Sequence, residues 1–224
     1  MCYGVGLPDC WPMPAPPSKL CWPEIVAKEL HRECINMSAS GSGNKRIWYE
    51  ISKFKFKKDD LVLILWSFPN RYTVINSPSD IKNLHHNNDE PLSNAYFQNL
   101  YDPYDSKIMS TLFVDNANRL LKEKNINFLQ MAVKKRYQYI FGKFKYLPIT
   151  MDAYETLYSR AIDNDHAGIN GHKAFAVDLL KLLNCDTSLS RPKPEKFINR
   201  IKFCGFRAFS VQGSFQNCFQ YCTG

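Results

Sequence analysis

Asp60-Leu61-Val62-Leu63-Ile64-Leu65-Trp66 is an apolar run of strand length behind a single acid. A half-exposed strand alternates apolar and polar residues, whereas a parallel strand covered by helices on both faces is apolar throughout. The run therefore predicts a central parallel strand. On its amino-terminal side, Pro23 suits a first helical turn, and Ile25, Val26 and Leu30 recur on one helix face. Cys34-Ile35-Asn36-Met37 then reads as a short strand, ending in the turn-forming Ser38-Ala39-Ser40-Gly41-Ser42-Gly43-Asn44. On the carboxyl-terminal side, Ile108, Met109, Leu112, Phe113, Leu120 and Leu121 predict a helix over Ser106 to Lys124, and Ile126 to Val133 a further strand. Thr150 to Ser159 reads as helical. After a polar loop at Ile162 to Asn170, Phe175, Leu179, Leu182 and Leu183 mark a last amphipathic helix. This alternation predicts an α/β fold: a doubly wound, three-layer α/β/α arrangement around a mostly parallel sheet, flavodoxin-like in outline.

The chain has 224 residues, which suits one compact domain with a modest extension. The domain is expected over 1–187, with 188–224 as a flexible carboxyl-terminal extension entered through the polar, proline-containing stretch Asp186 to Pro194. Residues 1–20, with Pro12, Pro14, Pro16 and Pro17, read as an extended loop. Hydrophobic residues make up 45% and charged residues 22%, a composition that excludes wholesale disorder. The longest apolar stretch, Leu61 to Trp66, is far shorter than the ~20 residues a membrane-spanning helix needs.

The net charge is +8, and the clearest basic runs are Lys53-Phe54-Lys55-Phe56-Lys57-Lys58 and Lys134-Lys135-Arg136. Aromatics interleaved with cations are compatible with a nucleic-acid surface, but the simpler reading is a solvated face of lysines alternating with inward phenylalanines. Nucleic acid is not the expected partner. Eight cysteines without a signal-peptide pattern fit reduced thiols in the cytoplasm. Cys204, Cys218 and Cys222 lack the paired short spacings of a zinc site. The adjacent histidines of His85-His86-Asn87-Asn88-Asp89 are expected to point apart into water. Neither a metal nor another cofactor is expected.

Chemistry in an open α/β sheet collects in the loops at the carboxyl ends of the strands. In Asp163-Asn164-Asp165-His166-Ala167-Gly168-Ile169-Asn170-Gly171-His172, an acid stands three residues before a histidine. Such an acid can bend back to fix the imidazole tautomer while the other ring nitrogen serves a nucleophile. His172 reads as a packing or capping residue. In Asn36 to Ser42, Gly41 allows the backbone to approach a reacting carbonyl and turn its N–H toward a developing oxyanion. After the apolar run, Trp66-Ser67-Phe68-Pro69-Asn70-Arg71 offers the Asn70 amide for the same purpose.

These blocks, in this order, resemble those of the SGNH (GDSL-type) serine hydrolases over about residues 1 to 185. The resemblance implies acyl ester hydrolysis by a Ser-His-Asp mechanism, with His166 as base, Asp163 orienting it, and Gly41 and Asn70 forming the oxyanion hole. The substrate would be a small-molecule or carbohydrate ester. The family's Gly-x-Asn-Asp is replaced here by Ser67, Phe68 and Arg71, although some SGNH-like proteins share a Trp-Ser/Thr-x-Pro-x-Arg pattern. It is thus open whether Asn70 or Arg71 faces the oxyanion.

The family's nucleophilic serine closes a strand that would stand just before Met1, because Met1-Cys2-Tyr3-Gly4-Val5-Gly6-Leu7-Pro8-Asp9 resembles the stretch immediately after that serine. Three explanations arise: a truncated start, a non-catalytic relative that binds a glycan or ester, or a tail strand at Ile201 to Phe206 bringing Ser210 or Ser214 to the site. Cys2 is displaced from the nucleophile position. In the family fold the first strand lies inside the sheet, so its absence implies an open apolar slot. The alternative function is a non-catalytic basic module for an anionic polymer or glycan.

Overall fold

A computed structural model describes residues 18–86, 90–142, 144–160, 167–183, 189, 191 and 192. The described chain is mixed α/β. Its elements run α1 (Trp22–Glu29), α2 (Asn44–Lys53), β1 (Leu61–Trp66), β2 (Tyr72–Ser77), β3 (Asp80–Leu84), α3 (Pro91–Asn99), α4 (Pro103–Glu123), β4 (Asn127–Ala132), α5 (Lys135–Ile140), α6 (Met151–Leu157) and α7 (Ile169–Leu182).

The apolar run forms β1, which pairs in parallel with β4 from Leu61↔Asn127 to Trp66↔Ala132. Alternation of side chains along a strand sends successive residues to opposite faces. Accordingly, Leu63 packs with Trp22, Val26, Met131, Met151, Tyr154 and Phe175, the cluster of α1, α6 and α7. Ile64 and Trp66 pack with Ile51, Val114, Ala117, Leu121 and Tyr137, the cluster of α2, α4 and α5. Helices therefore cover both faces, which is why the run carries no polar residue.

One polar network crosses this interior. Trp66 Nε1 donates to Gln130 Oε1 at 2.9 Å, and Gln130 and Asn118 exchange amide hydrogen bonds at 3.1 Å. Asn118 Nδ2 also donates to Val114 O within α4. β1, β4 and α4 are thus joined by satisfied buried amides, which cost far less than unsatisfied ones.

Two expectations change. Among the described residues the parallel sheet has two strands, and β1 pairs on one edge rather than lying between two partners. Cys34 to Met37 makes no strand hydrogen bonds, because a cleft separates it from β1. The helices at α1, α4, α6 and α7 fall where periodicity puts them. The antiparallel β2–β3 hairpin and the helices α2, α3 and α5 are additional. Leu189, Arg191 and Pro192 apart, the 188–224 extension lies outside the described residues. Arg191 pairs with Asp178 of α7 at 3.1 Å, and Tyr158 donates to Pro192 O at 2.9 Å. No described helix is long and apolar enough to cross a membrane.

Candidate functional site

The segment between α1 and α2 runs alongside β1 in the same direction. At its start, Arg32 donates to Asp59 O, just before β1 (2.9 Å). At its end, Asn44 Oδ1 accepts the N–H of Ser67, just after β1 (2.8 Å), and Asn44 Nδ2 donates to Ser67 O (3.3 Å). Between the segment and β1 lies a cleft of about 630 Å3, lined by α1 (Trp22, Val26), α2 (Ile47, Ile51), residues of 32–39, and Leu61 to Leu65 of β1. The cleft follows the edge of β1 that has no described partner, with a helix on either face. Its walls are mostly apolar along the strand. They are charged at the amino end of β1, at Arg32, Glu33, Lys57, Asp59 and Asp60, and polar at its carboxyl end, at Ser38, Ser42, Ser67 and Arg71.

Gly41 precedes the cleft-lining Ser42 and, like Asn70, does not itself line the cleft; its φ of +70° is a left-handed conformation natural to glycine. A Cβ added there would meet His85 Cδ2 at 3.3 Å and Asn83 Cβ at 3.4 Å, so the loop rests on β3 and the residue after it. Asn83 reinforces this by donating to Ser40 O at 2.8 Å. Two residues on, a Cβ at Gly43 would fall 2.4 Å from Arg71 O, so the 41–43 loop and the 67–71 loop are in direct backbone contact. Gly43 N–H donates to Thr73 Oγ1 at 3.3 Å, and Thr73 donates to Asn83 at 3.0 Å. Neither the Gly41 N–H nor the Asn70 side-chain amide has a hydrogen-bond partner among the described residues.

The 67–71 loop is held by Arg71 N–H donating to Phe68 O at 3.2 Å and by Ser106 Oγ donating to Pro69 O. Arg71 reaches the cleft wall; Asn70, one residue earlier, is half-buried and does not line it. The Arg71 guanidinium lies 4.7 Å from the centre of the Phe68 ring. Burial lowers its pKa, offset by attraction to Glu155 and Tyr137. His85 is held below the usual histidine value by burial and then by Arg71.

α6 belongs to the same end of the sheet, because Asp152 N–H donates to Val133 O at 3.1 Å, directly after β4. Asp163 and His166 lie outside the described residues. The flanks of their loop are described: Arg160 and Ala167 form an antiparallel bridge, and Gly168 N–H donates to Ser159 O at 3.0 Å. The structure thus brings together Gly41, the 67–71 loop and, through Glu155, the helix that leads to the Asp163–His166 loop.

Compared with protein-family models, with curated proteins and with solved structures, the chain has no match.

His172 is fully buried and caps α1, in keeping with a packing or capping role. Among the described residues no group of histidines, cysteines and acids has the arrangement of a metal site. His85 faces Gly41, while His86 packs 3.9 Å from Phe97 and 5.2 Å from Tyr101. Cys2, Cys204, Ser210, Ser214, Cys218 and Cys222 lie outside the described residues, as do Asn87, Asn88 and Asp89. Lys53, Lys55, Lys57 and Lys58 are exposed and alternate with half-buried Phe54 and Phe56, whose rings lie 4.8 Å apart. That solvated face adjoins a shallow depression of about 610 Å3 which also takes in Lys124.

Glu155 belongs to no sequence motif, and His85 stands out only as one of two adjacent histidines expected to point into water. Their association with Arg71 depends on a hairpin and a helix separated from it in sequence.

Proposed function

We propose that this chain is the body of an SGNH-type ester hydrolase, with a doubly wound three-layer fold completed by a strand that precedes Met1 and ends in the nucleophilic serine. The observation that carries this reading is the cleft along β1. It is mostly apolar along β1, is flanked by a helix on each face, and at the carboxyl end of β1 is lined by Ser42, next to Gly41, and by Ser67 and Arg71 of the 67–71 loop. A strand in that cleft, parallel to β1, would deliver its last residue to the polar end. Burying an unpaired backbone edge is costly, so a helix-covered open edge favours an occupant with its own backbone donors and acceptors.

In this mechanism the serine hydroxyl attacks the ester carbonyl while His166 takes its proton. Asp163 holds the imidazole in the required tautomer. The Gly41 N–H and the Asn70 amide, both without partners among the described residues and each one residue from the cleft-lining Ser42 and Arg71, would have to turn toward the cleft to donate to the oxyanion as the carbonyl carbon becomes tetrahedral. Collapse expels the alcohol, which receives the proton from His166; water then releases the acyl group by the same path. No cofactor enters. The substrate is a small-molecule or carbohydrate ester, and the eight cysteines suit a cytoplasmic setting.

The test is esterase turnover on a short acyl ester. The 224-residue chain should be nearly inactive. An extension supplying an apolar strand that ends in Gly-x-Ser should restore activity, and His166→Ala in the extended protein should lower kcat by ~10³-fold or more. Robust turnover by the unextended chain that survives Cys2→Ala would overturn the assignment.

A further inference from the structure

We infer that Arg71 forms an oxyanion-binding subsite at the carboxyl end of the cleft, taking the carboxylate or phosphate-like head of an acidic ligand. Arg71 and Lys134 approach the same aromatic ring: the guanidinium carbon lies 4.7 Å and the ammonium nitrogen 5.7 Å from the centre of Phe68. Tyr137 meets Phe68 edge-on at 5.8 Å, and Arg136 lies 5.0 Å from the Tyr137 ring. Three cations are thereby gathered on one aromatic pair.

Their counter-charge is thin. Among the described residues the Arg71 guanidinium makes no hydrogen bond and no ion pair; Glu155 attracts it from beyond ion-pair distance. A guanidinium carries five donors in a planar fork that matches carboxylate and phosphate oxygens. The fork is half-buried where it lines the cleft, so an anion that enters can take two of its N–H groups in place of water. Arg71 lines the cleft beside Ser38, Ser42 and Ser67, so an anion there also lies among short hydroxyl and backbone groups. The preference for an oxyanion stands on these contacts. Its assignment to the acidic group of an ester substrate rests on the hydrolase reading.

His85 supplies a readout independent of catalysis, since burial and, after it, the Arg71 charge hold its protonation down. In the full 224-residue chain, the His85 imidazole is titrated by NMR at constant ionic strength, with chloride replaced stepwise by sulfate or, separately, by acetate. Either anion bound at Arg71 should raise the His85 midpoint saturably, and the tighter of the two identifies the head group as tetrahedral or carboxylate. Arg71→Gln should raise the midpoint without added anion and abolish the response. Arg71→Lys, which keeps the charge and loses the fork, should retain a low midpoint and bind about tenfold more weakly. No sulfate or acetate response in the unsubstituted chain, or a response that persists in Arg71→Gln, would overturn the subsite. Esterase assays play no part in the readout, so a failed hydrolase reading would leave this result unaffected.

Discussion

His172 Nδ1 accepts the backbone N–H of Trp22 at 3.2 Å, tying the first turn of α1 to the first turn of α7 across 150 residues. An imidazole nitrogen that accepts carries no proton, so the ring is the tautomer with hydrogen on Nε2. The contact supplies a partner for one of the amides that every helix leaves unsatisfied at its start.

His172→Ala should therefore destabilise the protein by about 2–4 kcal/mol, combining an orphaned buried amide with a cavity under Trp22. His172→Gln, which keeps an acceptor, should recover part of the loss. Urea denaturation monitored by Trp fluorescence measures both; equal loss in the two variants would assign the whole effect to packing.

Gly43 and Gly41 differ in what a methyl group would disturb. At Gly43 it would collide with Arg71 O, so Gly43→Ala must push the two loops apart. At Gly41 the neighbours lie at tight but tolerable distances, and the main cost is the left-handed backbone, ~1–2 kcal/mol. Gly43→Ala should be the more damaging to stability, and its NMR shifts should reach Arg71 and Thr73. Comparable small effects at both positions would show that the loop contact is soft.

β1 offers a test of the cleft by hydrogen exchange. Every second amide of a parallel strand faces one neighbour and the remainder face the other. With the cleft empty, amides of Leu61 to Trp66 that point to β4 should exchange slowly and the alternate ones quickly. An upstream strand should slow both sets. Uniform, strong protection in the monomer after deletion of residues 188–224 would mean that no strand is missing.

Acid should weaken the hairpin end of the molecule through His85. Its folded pKa lies below the unfolded value of about 6.5, so between the two the unfolded state binds more protons. The stabilisation from keeping His85 neutral is complete above the unfolded value and is lost as pH falls toward the folded one. His85→Asn should flatten that part of the stability–pH curve; an unchanged slope would show that other groups produce it.

Where an element is stabilised by its own buried face, its sequence announces it. Leu61 to Trp66 is apolar because helices cover both sides, and α4 and α7 show their inward stripes in plain periodicity. The β2–β3 hairpin and α3 are held differently. Tyr72 stacks on Tyr96 at 4.6 Å, and Phe97 and Tyr101 enclose His86. These contacts join residues more than a helix apart in the chain and leave strands such as Asp80-Ile81-Lys82-Asn83-Leu84 largely polar, without a readable period. For the same reason Gly41 and the 67–71 loop were legible as turn chemistry next to a strand, whereas Glu155 and His85 acquire their relation to Arg71 only through packing.

The Trp66–Gln130–Asn118 chain of amides gives the sheet a memory of its alignment. An interface of apolar side chains alone between the two strands would tolerate a shift by two residues, since the same faces would still be buried. Here such a slip would move Gln130 away from both the indole and Asn118, leaving the Trp66 N–H and the Asn118 carbonyl oxygen without this partner in the interior. Replacing Gln130 alone by Leu should therefore cost more than the loss of one hydrogen bond. Replacing all three by apolar residues would trade this unique alignment for a more permissive one, in which the loops after β1 and β4 no longer arrive at the same level. Buried polarity here works as a ratchet tooth: it adds little adhesion, but it fixes how far along its neighbour each strand sits.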